Sequence, residues 1–141
     1  MAPLVIFPDA QLVATTYLRA ALGDIVQSVS TEPPGPGDFV TPLLVVTALR
    51  PPPMPNRWAL SASRLLFTVI ADNQPTANHV ANLVNGHVRA MAGATVDILG
   101  GTATISTVRN CAAPDAGDDT NQDQRDSAFS AELLLRPLRT T

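Results

Sequence analysis

The chain has few of the residues that usually carry chemistry or cover a soluble surface. Its 141 residues include one cysteine, no lysine, 4% aromatic residues and 15% charged residues. A lone cysteine excludes an intramolecular disulfide and suits a reducing compartment during assembly. The net charge of −3, without a basic cluster, argues against generic binding to a nucleic acid backbone. Typical soluble domains carry about 25% charged residues, so this surface fits a subunit that contacts neighbours better than a monomer.

The sequence also shows no signal peptide or membrane span. Residues 1–8 contain no basic residue, and two prolines interrupt their apolar run. We therefore expect no membrane partner. The length is that of one domain, so we expect residues 1–141 to form a single domain with a sizeable core.

The clearest structural signal runs from Arg64 to Met91. Apolar and β-branched residues alternate from Arg64 to Ala71, which predicts a strand. Asp72–Pro75 then predicts a helix start, because Asp and Asn accept orphan N–H groups and Pro is tolerated in the first turn. From Ala77 to Met91 the apolar residues recur at helical spacing, and Gly93 predicts the stop.

The outer side of this helix is unusual, because no charged residue occurs between Asp72 and Arg89. Polar residues such as Asn78 and Asn82 take the place of the usual Glu, Lys and Arg. Uncharged polar groups cost less to desolvate than charges do, so we interpret this side as a protein–protein contact. The alternative is an ordinary exposed helix in a chain that is poor in charge throughout.

The remaining elements follow from turn residues and periodicity. Pro8-Asp9 opens a first helix that Gly23 closes, and Gly100-Gly101 predicts a tight hairpin. Strands are predicted at 25–30, Leu43–Leu49, Thr95–Leu99, Thr102–Arg109 and Ala128–Arg136. We expect an α+β fold of order α-β-β-β-α-β-β, with two amphipathic helices on one face of a mixed four- to five-stranded sheet. The other sheet face, which carries Leu66 and Ile70, needs a cover that a neighbouring subunit can supply.

Three projecting loops are predicted, at 31–40, 50–58 and 110–126. The second holds four prolines in five residues, which cannot join a ladder and form a stiff connection. We interpret Trp58 as either an interface anchor or a residue packed under its own loop. The predicted contact residues in the loops are Arg50, Met54, Arg57, Trp58, Asp115, Asp118, Asp119 and Asp123.

No arrangement of residues predicts catalysis, a cofactor or a metal site. His79 and His87 are eight residues apart on a helix, which is not the spacing of a pair of ligands on one helix. The aspartates at 115–126 lack the spacing of a calcium loop, so a solvated or docking loop is favoured. Cys111 has no adjacent base, and Gly100-Gly101 opens a strand, so neither a nucleophile nor a phosphate cradle is predicted.

Four stretches resemble the tail terminator proteins of long-tailed bacteriophages, particularly those infecting actinobacteria. The first helix carries Phe7-Pro8-Asp9, and the strand–helix junction carries Ala71-Asp72. The hairpin carries Gly100-Gly101-Thr102, and a Pro114-Asp115 loop leads through Arg125 to the closing strand at Phe129. These stretches occur in the same order along almost the whole chain. Residues 50–58 depart from the pattern, since relatives have a shorter turn that is rich in Arg and Gly.

The resemblance implies a structural virion protein that works by geometry, without cofactor or catalysis. Such a protein forms a homo-hexameric ring on the last ring of the tail tube. It ends tube polymerisation and joins the tail to the neck of the head, so its partners are the tail tube protein and a neck or head-completion protein. It is assembled in the host cytoplasm and resides at the tail–neck junction of the virion, where DNA passes through the ring lumen.

Two other interpretations remain open. A head-closure or connector protein of the neck is also ring-forming but contacts the portal side. A small cellular α+β binding domain of ferredoxin-like type would act as a monomer or dimer and would need a discrete ligand pocket.

Overall fold

The computed structural model describes residues 5–32, 41–51, 60–116 and 125–139. Within these residues the chain forms two helices and seven strands. In chain order they are α1 (Ala10–Ala21), β1 (Ser28–Ser30), β2 (Leu43–Leu49), β3 (Ser61–Ala71), α2 (Gln74–Arg89), β4 (Thr95–Ile98), β5 (Gly101–Arg109), β6 (Asp115–Ala116) and β7 (Arg125–Leu135).

All seven strands belong to one mixed sheet, in the order β1-β2-β3-β7-β5-β4, and β6 pairs with β7. The centre of the sheet is β3, which is antiparallel to β2 on one side and to the full length of β7 on the other. β1 is parallel to β2. β5 pairs with β7 through its second half and with β4 through its first half, and its register shifts between Ile105 and Thr107. This shift fits a local bend of the sheet.

Both helices cover one side of the sheet, which we call the inner face. It carries Leu65, Phe67 and Val69 of β3, and all three side chains are buried in the hydrophobic core with residues of α1 and α2. The rings of Phe67 and Phe129 stack with their centroids 5.0 Å apart. The stripe of small and branched residues on α2 allows this helix to lie against β3 and β7, and its buried members are Ala77, Val80, Ala81, Val84 and Val88.

The helix starts form as the sequence predicts. Asp9 caps α1, and its carboxylate accepts hydrogen bonds from the backbone N–H groups of Gln11 and Leu12. Asn73 caps α2 and accepts from the N–H of Thr76, with Pro75 in the first turn. Gly93 has a φ of +84°, a backbone conformation that favours glycine, in the turn that follows α2.

The predicted α+β class and the two helices on one face are confirmed, but the sheet is larger than expected. It has seven strands instead of four or five, because the final strand and the short β6 also join it. The hairpin turn is also shifted by one residue. Leu99 and Gly100 form the turn, and Gly101 is the first residue of β5, where it pairs with Ile98 of β4.

The prediction of one long loop at 110–126 is correct at its start, since β5 ends at Arg109, and wrong further along. Asp115 lies in β6, opposite Ala128, and β7 begins at Arg125, three residues before the predicted start. β5 and β6 pair with different stretches of β7, so the chain returns to the same strand after the break at Asn110. The predicted loops at 31–40 and 50–58 fall mostly outside the described residues.

Side chains of α1 satisfy carbonyl groups near the β1 edge of the sheet. The guanidinium of Arg19 donates two hydrogen bonds to the carbonyl of Val29, at 3.2 and 2.9 Å. The amide of Gln11 donates to the carbonyl of Val46 at 3.0 Å. Because these edge carbonyls are occupied, they offer less to an approaching strand.

Candidate protein–protein interfaces

The outer side of α2 is an exposed, uncharged polar surface, as the sequence predicts. Asn78, His79 and Asn82 are exposed, and no charged residue occurs between Asp72 and Arg89. Asn78 accepts a hydrogen bond from the amide of Gln74 at 2.9 Å. The structure therefore places Asn78 and Asn82 on one accessible surface, and their role in binding stays a prediction.

The opposite end of α2 holds the segment that follows β5. Asn85 is buried and donates to the carbonyl of Ala112 at 2.8 Å and to Sγ of Cys111 at 3.4 Å. Arg89 donates to the carbonyl of Cys111 at 2.8 Å and to Oδ1 of Asn85 at 2.8 Å. These bonds fix residues 111–112 against α2. Because β6 begins at Asp115, three residues later, α2 positions the start of the acidic residues at 115–126.

Cys111 is a structural residue in this arrangement. Burial raises the pKa of its thiol, and the nearby charge of Arg89 and the hydrogen bond from Asn85 oppose that rise only in part. A thiol with a raised pKa is a poor nucleophile. The geometry thus agrees with the sequence, which offers Cys111 no base.

The sheet face away from the helices, which we call the outer face, contains a buried carboxylate that the sequence analysis did not identify. Glu132 of β7 is 2% exposed. Its Oε2 accepts from Nη2 of Arg64 at 3.2 Å, and its Oε1 accepts from Nε of Arg109 at 3.0 Å. Asn110 also donates to Oε1, at 2.8 Å. Three strands and the break after β5 therefore meet at one side chain.

Electrostatics explain why this carboxylate stays ionised. Burial alone would raise the pKa of Glu132, but hydrogen bonds from Asn110, Arg64 and Arg109, with the positive charge of Arg109, outweigh burial and lower it. Asn110 has a φ of +51°, which asparagine tolerates better than most residues. Its hydrogen bond to Glu132 stabilises this backbone conformation at the residue that follows β5.

The rest of the outer face is less well covered than the inner face. Leu66, Thr68 and Ile70 of β3 remain partly exposed, whereas Leu65, Phe67 and Val69 on the other side are at most 1% exposed. Leu43 and Val45 of β2 also belong to the outer face and are buried. The partly exposed part is thus a stripe along β3 and its neighbours in β7, as expected for a face that needs a cover.

The structure describes four of the ten predicted contact residues. Arg50 is exposed directly after β2, and Asp115 is exposed on β6. Asn78 and Asn82 lie on α2, on the helix side of the sheet. The six others lie outside the described residues: Met54, Arg57, Trp58, Asp118, Asp119 and Asp123.

The described residues offer little for ligand chemistry. Within 5–32, 41–51, 60–116 and 125–139, no group of three His, Cys, Asp or Glu side chains is placed to hold a metal ion. A cleft of about 420 Å³ lies between α1 and β4, lined by Tyr17, Ala20, Ala21 and Val96 among others, and it is shallow and open. No described helix is long and apolar enough to cross a membrane.

Comparison with known proteins shows a likeness to solved structures. No protein family matches the chain, and no curated protein matches it. Among solved structures, it is similar to a chain of the "Virion of native gene transfer agent (GTA) particle", with a TM-score of 0.57 and 18% identity. The match covers 90% of this chain and 94% of the other. The two chains therefore share a fold over nearly their whole lengths.

Proposed function

We propose that this chain is a structural virion protein. The observation that carries the proposal is the end-to-end likeness to a chain of a gene transfer agent virion. Nearly complete coverage in both directions means that the whole domain is shared, rather than one common motif. A charge-poor surface, an uncharged outer side of α2 and a partly exposed second sheet face are what a subunit with several neighbours needs.

Within that class we propose the role of tail terminator. The chain forms a hexameric ring that caps the tail tube, stops its polymerisation and joins the tail to the neck of the head. Its partners are its own copies, the tail tube protein and a neck or head-completion protein, and DNA passes through the lumen. The collinear resemblance at Phe7–Asp9, Ala71-Asp72, Gly100–Thr102 and the Phe129 strand supports this finer assignment. The protein acts by geometry, without catalysis.

The proposed contacts with the tube and the neck involve α2, the acidic stretch from Asp115 onward and the proline-rich stretch from Arg50 onward. Asn78 and Asn82 offer polar groups on α2 that cost little to desolvate. β6 offers Asp115, and the segment between β6 and β7 offers three further aspartates, at 118, 119 and 123. The tip that begins at Arg50 offers a stiff, proline-rich connection. The contact residues proposed there are Arg50, Met54, Arg57, Trp58, Asp115, Asp118, Asp119 and Asp123.

Electron cryomicroscopy of particles that contain this protein with a tag tests the assignment. A sixfold ring between the top of the tube and the neck is the expected result. Density on the portal side, in particles that lack tails, would replace the terminator with a head-closure protein. No association with particles would overturn the virion role and return the chain to a cellular binding domain.

A second experiment tests the acidic segment without disturbing the sheet. Replacing residues 117–124 with a short Gly/Ser link leaves β6 and β7 intact, since their pairing involves Asp115, Ala116 and residues from Arg125 onward. We expect a folded protein that no longer supports joining of tails to heads. The matched control keeps residues 117–124 and replaces the three aspartates at 118, 119 and 123 with asparagine, which separates charge from length. Normal joining by the Gly/Ser variant would contradict a docking role for the segment.

A further inference from the structure

β4 is the last strand at one end of the sheet, and its outer edge directs backbone groups away from β5. In an antiparallel hairpin, residues whose backbone groups pair across the ladder alternate with residues whose groups point outward. On β5, Thr102 and Thr104 point away from β4, since they bond to the backbone of the residues that follow β7. Their partners on β4 are Asp97 and Thr95, so these two residues direct their N–H and C=O groups to the outer edge. In the part of the chain that the structure describes, no backbone hydrogen bond outside the strand ladders reaches either of them.

The two end strands of the sheet differ in how α1 contacts them. At the β1 end, the guanidinium of Arg19 occupies the carbonyl of Val29 at 2.9 and 3.2 Å. At the β4 end, α1 contributes uncharged side chains, and the open cleft of about 420 Å³ lies between them and the strand. Ala20 is exposed at this cleft, and the buried Val96 lines it on the side of the strand. α1 therefore protects one edge of the sheet and leaves space beside the other.

The chemistry of the β4 edge defines what it can bind. The outward N–H and C=O groups of Thr95 and Asp97 match the backbone of another extended chain, which can add a strand through main-chain hydrogen bonds. Alternate side chains of such a strand lie on opposite faces of the sheet, so one set enters the cleft beside Tyr17 and Val96 and the other set lies with Asp97. Among the described residues that line the cleft, Asp97 alone is charged. The last turn of α1 adds the partial negative charge of a helix C-terminus.

We propose that the outer edge of β4 binds an extended segment of a different polypeptide, with an apolar side chain in the cleft and a basic side chain beside Asp97. The described strands of this chain do not supply such a segment. Arg19 occupies the β1 edge, and β4 of a second copy would bring two acidic edges together. The site contains none of the contact residues proposed above, so the inference goes beyond the proposed function and does not depend on it.

Amide hydrogen exchange of the full chain tests the edge itself. We expect the N–H groups of Thr95 and Asp97 to exchange faster than those of Val96 and Ile98, which pair with β5. NMR spectroscopy of the isotopically labelled protein measures each amide. Slow exchange at Thr95 and Asp97 in dilute protein would show that the edge is already paired. Protection that grows with protein concentration would assign the edge to a second copy. Either result would overturn the proposal.

A synthetic peptide then tests the binding. The probe is a short capped peptide in which threonine and valine alternate and one threonine near the centre is replaced with arginine. Its valines lie on one face for the cleft, and its arginine lies on the other face for Asp97. We expect the peptide to slow exchange at Thr95 and Asp97 and to shift the resonances of Ala20 and Val96. Two matched controls, with glutamate in place of the arginine or with N-methyl groups on alternate amides, should bind at least about tenfold more weakly.

Variants of the full chain separate the parts of the site. Asp97→Pro removes an outward N–H, a change that edge strands tolerate, and it should abolish binding of the peptide. Asp97→Asn keeps this N–H and removes the charge, so binding should weaken about threefold and lose most of its salt dependence. Ala20→Phe fills the cleft and should weaken binding about tenfold. Its matched control is Ala90→Phe, at an exposed position after α2 that does not line the cleft. Circular dichroism and thermal unfolding establish that each variant folds.

Three results with the peptides would overturn the proposal: unchanged exchange at β4 in excess arginine peptide, equal binding of either control peptide, or equal effects of Ala20→Phe and Ala90→Phe. Localisation in particles tests the proposed function separately, because the peptide experiments use the chain alone. A chain that fails with the peptides but forms a ring in particles has its contacts on other surfaces. A chain that binds the peptide but is absent from particles has the strand-binding edge without the virion role.

Discussion

The inner and outer faces of the same sheet are stabilised by different interactions. The inner face is a hydrophobic core, in which Phe67 stacks on Phe129 and residues of both helices pack against the sheet. The outer face combines partly exposed apolar groups with one buried carboxylate that three donors satisfy. A close-packed core loses stability when side-chain volume is removed. The stability that a charged network contributes depends instead on pH and on each of its partners. The inner face therefore maintains the fold by packing, whereas the outer face depends on a few polar contacts.

The largest expected effect separates the two faces directly. Phe67→Ala should lower the free energy of unfolding by about 3–5 kcal/mol, because it removes a fully buried ring and leaves a cavity. Leu66→Ala, the adjacent residue on the outer face, should cost about 1 kcal/mol. Urea unfolding followed by circular dichroism measures both. Equal losses for the two variants would show that the faces do not differ as described.

The next effect concerns the carboxylate of the outer face. Glu132→Ala should cost about 2 kcal/mol, less than a fully buried ion pair, because solvent screens the two half-exposed arginines. Glu132→Gln keeps the shape and one acceptor, so its loss should be smaller. A loss for Glu132→Ala within the error of the urea measurement would mean that the network contributes nothing to stability.

The same cluster predicts how stability depends on pH. The pKa of Glu132 is lower in the folded than in the unfolded chain, so its contribution is present above the unfolded pKa and is lost as the pH falls through the folded pKa. Thermal unfolding from neutral to acid pH should therefore show a decline that is shallower in Glu132→Gln. Parallel curves for the two proteins would assign the decline to other carboxylates.

A smaller effect is expected where α2 holds the segment after β5. Asn85→Ala leaves the carbonyl of Ala112 without its donor and should cost about 1–2 kcal/mol. The loosened segment should also expose Cys111, so its modification by a thiol reagent should become faster. Asn82→Ala, one turn earlier and exposed, is the control. Unchanged stability and unchanged labelling of Asn85→Ala would remove the positioning role of α2.

The smallest effects are expected on the exposed side of α2. Asn78→Ala and Asn82→Ala should each change the free energy of unfolding by less than about 0.5 kcal/mol, because both side chains are exposed. Thermal unfolding of the free chain measures this change. A large loss would mean that these residues maintain the fold, and the contact interpretation of this surface would lose its basis.

Elements with local signals were predictable from the sequence. β2 has the predicted bounds because a continuous apolar run between turn residues is sufficient to define it. Asp9 and Asn73 cap helices through hydrogen bonds to backbone groups two or three residues away, so both helix starts are local signals. The two glycines after Leu99 located the hairpin turn to within one residue. The exposure of Asn78 and Asn82 also followed from helical spacing alone.

Elements that depend on distant contacts were not predictable in the same way. β6 consists of Asp115 and Ala116, which show no strand pattern in the sequence. It lies beside β7 because Asn85 and Arg89 hold the preceding residues 111–112 by hydrogen bonds. The Glu132 cluster joins residues separated by 68 and 23 positions. Its only local signal is a single glutamate in the apolar run from Ala131 to Leu135.

The pairing of β6 with β7 has a consequence for how this protein can diversify. Residues 117–124 connect β6 to β7, and these two strands are neighbours with backbones about 4.8 Å apart. Closing a loop between ends that are already adjacent costs little, and the cost rises slowly with length. Insertions, epitope tags or an exchanged sequence between Ala116 and Arg125 should therefore leave the rest of the domain intact. Selection can therefore alter the sequence of this segment independently of the folding of the sheet that carries it.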